Sequence, residues 1–188
     1  MIKKICSLVL LFVLMLSVFT VEASAFNYPN GTPARPGDIL VTSDAWSKGI
    51  VGHAALVTGA DEYLEIRGAN HYPEIRKLNK FFDYKGKEVK VVRIGDSVKA
   101  IDAALYGRLY NGSKIPYKIT TNLLDSKYMY CSKLVYQAYA FGTSGVFPII
   151  EGPRMITPYD LLYRQTYKRG VKLKLVYSKG IYGMGDIF

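Results

Sequence analysis

The strongest apolar stretch of the chain lies near its start. Leu8 to Val21 is almost wholly apolar, preceded by Lys3 and Lys4 and followed by Ala23-Ser24-Ala25. A basic start, an apolar centre and a small-x-small end form the pattern of an export signal, so residues 1–25 read as a cleavable signal peptide. The run is shorter than a membrane span requires and no later stretch approaches one, so no stable membrane span is expected after cleavage. In the remaining chain, 26–188, Ala34 to Asp38 is a turn feeding the apolar run Ile39-Leu40-Val41, a strand. His53 to Thr58 and Tyr63 to Arg67 read as the arms of a hairpin around Gly59 to Glu62. Val89 to Ile94 is a β-branched strand, and Val171 to Tyr177 alternates apolar and basic residues like a half-exposed one.

Helical spacing fits three further segments. Ser97 can cap a helix carrying Val98, Ile101, Leu105 and Leu109 that stops near Gly112. A second helix runs from about Cys131 to Phe141 and ends at Gly142. A third has Thr157 as cap, Pro158 at its first position, Asp160 in its first turn and Gly170 at its end. No repeat or linker divides the chain. The expectation is a single α+β domain over 26–188, an antiparallel sheet packed against helices, with the 16 tyrosines serving packing and groove walls.

Charge adds a constraint on partners. The formal net charge is +10, and loss of Lys3, Lys4 and Glu22 with the leader lowers it by one. An exported basic protein is drawn to anionic wall polymers or phospholipid headgroups, although the same charge also serves solubility. Nucleic acid is not the expected partner, because the lysines are scattered and no recognition motif is present.

The chain has two cysteines and two histidines. Cys6 leaves with the leader, so the mature chain cannot form an internal disulfide. Exported proteins usually use cysteines in pairs, and the single Cys131 therefore points to chemistry. It stands at a helix start, where unpaired amides and the helix dipole lower a thiol's pKa and can cradle an oxyanion. It also lies on the face formed by Leu134, Val135, Ala138 and Tyr139, where a cysteine can be a plain core residue. Both readings stand at this level.

The base must be His53 or His71. His53 opens a strand after Gly52, on the face shared by Ala55 and Val57, a place where a histidine can also be structural. His71 lies in the loop Gly68 to Pro73, which would hold it poorly. Glu65 follows His53 by twelve residues and can orient it only if the hairpin register allows. A two-residue turn puts the two side chains on opposite faces, whereas a three-residue loop with Gly59 opposite Tyr63 puts them on one face. An odd residue or a bulge is required. One thiol and two histidines offer no metal-ligand spacing, and no cofactor is implied.

The order of these segments resembles a known family. Pro36-Gly37-Asp38-Ile39-Leu40, Gly52-His53-Ala54-Ala55-Leu56-Val57, Tyr63-Leu64-Glu65 and Tyr130-Cys131-Ser132-Lys133-Leu134-Val135-Tyr136 are similar to the circularly permuted papain-like hydrolases. These belong to the NlpC/P60 superfamily, and the YiiX/YycO-like branch fits best. There, as here, the histidine hairpin precedes the cysteine helix. The resemblance implies a permuted papain-like fold with Cys131 as nucleophile, His53 as base and then acid, and Glu65 as its orienting group. It further implies that Tyr117, in Ile115-Pro116-Tyr117, and Tyr130 line the substrate site. Lys118 and Lys133 stand where relatives often carry acids, pointing either to a more anionic substrate or to solvated surface positions. The expected function is a secreted cysteine amidase or peptidase acting on cell-wall peptides through an acyl-enzyme. The alternatives are a lipid thioesterase or acyltransferase and a non-catalytic surface-binding module.

Overall fold

Apolar runs buried on both faces form the centre of the molecule. In the computed structural model, which describes residues 25–43, 52–83 and 88–180, these runs join one six-stranded antiparallel sheet. The strands are β1 (Ile39–Thr42), β2 (His53–Gly59), β3 (Glu62–Glu65), β4 (Glu74–Lys77), β5 (Val89–Ile94) and β6 (Leu173–Lys179), in the spatial order β4-β3-β2-β1-β5-β6. The helices are a single turn α1 (Asn79–Phe82), then α2 (Ser97–Arg108) and α3 (Cys131–Gly142). The architecture is α+β, as expected. The leader lies outside the described residues except for Ala25, and the expected loop from Asp44 lies outside them up to Gly52.

Strand alternation sends successive residues to two different cores. Ile39, Val41, Ala54, Leu56 and Val92 face α2 and α3. Leu40, Ala55, Val57 and Val91 face Tyr28, Phe81 and Tyr177 on the other side. This double burial explains why β1, β2 and β5 read as nearly continuous apolar runs. The Pro36-Gly37-Asp38 turn is held from within: buried Asp38 accepts hydrogen bonds from Tyr28 Oη (2.6 Å) and Arg93 Nε (2.7 Å).

Three expectations need correction. First, α2 is capped by Asp96 rather than Ser97; its Oδ1 accepts the amides of Val98 (3.1 Å) and Lys99 (3.2 Å). The aliphatic stripe of this helix also faces outward, while Ala100, Ala103, Ala104 and Gly107 are buried. Space decides this orientation: a Cβ on Gly107 would lie 2.9 Å from Leu56 Cδ2, so only small residues fit against β2.

Second, the third helix is replaced by two short 3₁₀ turns, Tyr159–Leu162 and Arg164–Thr166. Tyr163 between them is extended (φ −96°, ψ 133°). Thr166 Oγ1 donates to the Asp160 carbonyl (2.6 Å) and Tyr167 Oη to that of Leu161 (2.5 Å), occupying carbonyls that a continuing helix would use. Third, β4 and α1 had no counterpart in the sequence reading, and β6 begins two residues after Val171.

Candidate active site

The hairpin register satisfies the condition set by the sequence. Leu56 pairs with Leu64 and Val57 with Tyr63, but Gly59 pairs with Glu62, leaving Thr58 as an extra residue on β2. The tip alone, Ala60-Asp61, is a two-residue connection that would have put His53 and Glu65 on opposite faces. The bulge at Thr58 restores the parity, and both side chains share the face of Ala55 and Tyr63. His53 Nε2 lies 2.8 Å from Glu65 Oε2.

Cys131 meets this pair from the other core. It is the first residue of α3, as His53 is the first of β2, and the buried thiol and imidazole interact electrostatically where the two elements begin. Tyr130, the N-cap residue, is extended (φ −140°, ψ 165°), so the chain turns sharply into the helix at the thiol. The first-turn amides of α3 have no partner one turn earlier in the helix, which makes this end a donor surface for developing negative charge. The backbone amides of Ala54 and Ser132 also favour the charged sulfur.

Electrostatics follow from these contacts. Burial raises the Cys131 thiol's pKa, but the hydrogen bond and charge of His53 and the two amides outweigh it and hold it below its ordinary value. Burial alone would lower the His53 pKa; hydrogen bonds and charge from Cys131 and Glu65 push it instead up to about 9. Burial likewise raises Glu65, yet His53 and Arg76 keep its carboxyl below the usual range. All three point to a thiolate–imidazolium pair backed by a carboxylate.

Neighbouring side chains hold Glu65 and His53 in place. Glu65 Oε1 accepts from Arg76 Nη1 (2.9 Å) and Tyr63 Oη (3.2 Å), so each of its oxygens is committed. The Phe81 ring lies near-parallel to the imidazole, with centroids 6.4 Å apart. Gly52 has φ +89°, and a Cβ there would sit 2.6 Å from the Thr42 carbonyl and 3.2 Å from the Tyr159 ring. Only glycine enters β2 by this path without strain, which sets the direction of His53. The sequence reading missed Arg76, Tyr63 and Phe81. Tyr63 was visible as a same-face neighbour two positions from Glu65, whereas Arg76 sits on a charged strand with no apolar period.

The remaining expected residues are placed as follows. Tyr130 is fully buried and its hydroxyl accepts the Ile156 amide (3.2 Å), while Ser132 Oγ donates to the Ile156 carbonyl (2.7 Å). These two residues tie the segment leading to Tyr159 onto the start of α3. Tyr117 is half-buried and bridges to Met129, just before the N-cap. His71 lies in its loop and lines a separate cleft with Asn111 and Lys114. Lys133 corrects both readings offered for it. It is 0% exposed, and its Nζ donates to the Tyr128 carbonyl (2.9 Å) with Asp125 at 3.5 Å. Lys118 is exposed, its Nζ 4.8 Å from the centre of the Tyr128 ring. Among the described residues no group of three or more His, Cys, Asp or Glu side chains could hold a metal ion.

Similarity to known proteins adds to this geometry. No solved structure matches the chain. A protein of Bacillus thuringiensis, described as an uncharacterized 30.3 kDa protein, is 34% identical over 146 residues, covering 70% of this chain and 53% of that protein. The chain thus spans about half the length of that relative. The profile of a family described as lipoprotein N-acylation protein LnsA-like matches residues 2–179, nearly the whole chain, and the protein therefore belongs to that LnsA-like family.

Proposed function

We propose that this protein is a cysteine acyltransferase of the bacterial cell envelope, built on a permuted papain-like site, that carries an acyl group as a thioester on Cys131. The observation that carries the reading is the buried Cys131 at a helix N-terminus, electrostatically coupled to His53, which is itself hydrogen-bonded to Glu65 at 2.8 Å. The family description favours transfer to an amine over the hydrolysis of wall peptides that the sequence first pointed to. The apolar leader motif supports export to the envelope.

The steps follow from the residues. The Cys131 thiolate attacks an ester carbonyl, and first-turn amides of α3 stabilise the oxyanion. His53 gives its proton to the leaving alcohol as the C–O bond breaks, leaving a thioester. An amine then attacks that carbonyl, neutral His53 takes the amine's proton, and the C–S bond breaks to return the thiolate. Glu65 holds the ring in one orientation throughout and balances the charge of the imidazolium.

Intact-mass analysis of the purified chain after incubation with a phospholipid ester tests this. The expected result is an adduct of one acyl chain that hydroxylamine removes and that is absent in Cys131→Ala. Addition of a peptide with an N-terminal S-diacylglyceryl cysteine should discharge the adduct and yield the N-acyl peptide. Cleavage of wall peptides with no acyl adduct from any ester would overturn acyl transfer in favour of the amidase.

A further inference from the structure

Helix α2 is inverted relative to an ordinary surface helix. Its small residues face the core, and its large aliphatics face outward: Val98 is 66% exposed, Ile101 46%, Leu105 58% and Leu109 73%. These positions recur at spacings of three, four and four, so they form one continuous stripe about 18 Å long. Phe141 of α3 is 37% exposed, and its ring lies 6.2 Å from that of Tyr106, so it extends the patch sideways. Isolated exposed aliphatics need no explanation, but a contiguous stripe marks an interaction surface.

Two further observations identify what covers it. The start of the stripe is ringed by cations. Arg35 and Lys174 line a cleft of about 350 Å³ with Ile101, and Lys99, Arg169 and Lys172 line a second of about 430 Å³ that shares Ile94 and Gly95 with the first. The acids nearby are Asp96, Asp102 and Glu62; Asp96 pairs with Lys99 at 3.5 Å and Glu62 with Arg108. The second observation concerns where the apolar leader sequence joins the domain. The Phe26 amide donates to the Ala60 carbonyl (2.8 Å), and Arg108, in the last turn of α2, reaches the Thr58 carbonyl (3.5 Å). The junction therefore lies at the hairpin tip beside the Leu109 end of the stripe, so until the leader is cleaved it holds that end next to the membrane.

We infer that the outer face of α2 is a docking surface for an anionic phospholipid bilayer. Exposed aliphatics beside a cationic flank suit an anionic lipid interface, where the aliphatics enter the acyl boundary and the cations meet the headgroups. Because Gly142 packs on Asp102 and Tyr106 while Gly107 packs near Ala138, α2 and α3 run antiparallel. Cys131 thus begins α3 at the Leu109 end, opposite the cationic flank of the stripe.

A tryptophan reporter tests the inference independently of catalysis. The chain has one tryptophan, Trp46, so Trp46→Phe with Leu105→Trp places a single indole on the stripe of the full-length protein. On vesicles of brominated phosphatidylglycerol and phosphatidylcholine its emission should shift to the blue and be strongly quenched, and much less so on phosphatidylcholine alone. An unquenched indole on vesicle-bound protein would show that the leader alone binds, and would overturn the proposal. In a second arm, Ile101→Gln with Leu105→Gln and Leu109→Gln should weaken partition onto the anionic vesicles by about tenfold or more, with circular dichroism and Cys131 alkylation unchanged. Unchanged partition, or burial of the stripe in a dimer that ignores vesicles, would equally refute it. A loss of acyl-adduct formation in Cys131→Ala leaves these readouts untouched.

Discussion

Helices α2 and α3 each span twelve residues and lie against one another, yet they use their side chains in opposite ways. In α3 ten consecutive residues from Cys131 to Ala140 are buried, large tyrosines among them, and the helix is enclosed between the sheet, α2 and the 156–167 segment. In α2 the inward positions are alanine and glycine, and the aliphatics lie outside. Both sequences carry apolar residues at helical spacings of three and four. The difference is made by the space between the elements: the close approach of β2 at Gly107 and of α3 at Gly142 excludes bulk from the inner face of α2. Helical spacing therefore reports a face, and side-chain volume decides which way that face turns.

The largest expected effect breaks the α3 side of the comparison at its first residue. Cys131→Ala should lower acyl-adduct formation and turnover by roughly 10⁴-fold or more, because the group that forms the covalent intermediate is gone. Steady-state rates with the purified variant check this, and undiminished turnover would remove Cys131 as nucleophile. Next is the α2 interface itself. Gly107→Val must displace Leu56 and should cost about 1–3 kcal/mol of stability in denaturant unfolding.

His53→Ala sharpens the electrostatic part. Without the imidazolium the Cys131 pKa should rise, so alkylation by iodoacetamide at pH 7 should slow by roughly tenfold or more. The wild-type pH profile carries the complementary sign. The His53 pKa is raised, so its proton is present below about pH 9 and lost above it. Turnover that needs the imidazolium as acid should decline as pH climbs through that value, whereas alkylation, which needs only the thiolate, should not. Arg76→Met comes next: without Arg76 the Glu65 carboxylate is held less firmly in place, and turnover should drop by about tenfold, while loss of the nearby positive charge favours the imidazolium and moves the alkaline limb to higher pH. The smallest effect is on the outer stripe, where Leu105→Gln should change stability by less than about 0.5 kcal/mol, in contrast to Gly107→Val one half-turn away.

Much of this was legible in the sequence. Ile39-Leu40-Val41, Val89 to Ile94, the hairpin and the Cys131 helix could be located because double burial makes apolar runs and Gly142 ends a helix. The triad could be assembled because so few thiols and imidazoles were available. What stayed hidden depends on contacts distant in sequence. Arg76 lies on a strand whose only apolar residue is Ile75, so neither period nor composition marks it. The segment after Thr157 carries a cap, a proline and a terminal glycine, all local helix signals, and is broken by carbonyl hydrogen bonds to Thr166 and Tyr167. Neither reading of Lys133, as a contact to an anionic substrate or as a solvated charge, anticipates its burial, because the pocket formed by Tyr128 and Asp125 exists only after folding.

The extra residue at Thr58 limits how this protein can vary. Because side chains alternate across a strand, the hairpin works as a parity counter between His53 and Glu65. Deleting Thr58, or adding one residue to the tip, would keep every atom of the triad in the chain while sending the acid to the opposite side of the sheet. Changes of two residues would leave the pair in register. A tip that lengthens or shortens only in even steps is thus the form of variation that keeps the His53–Glu65 pair together.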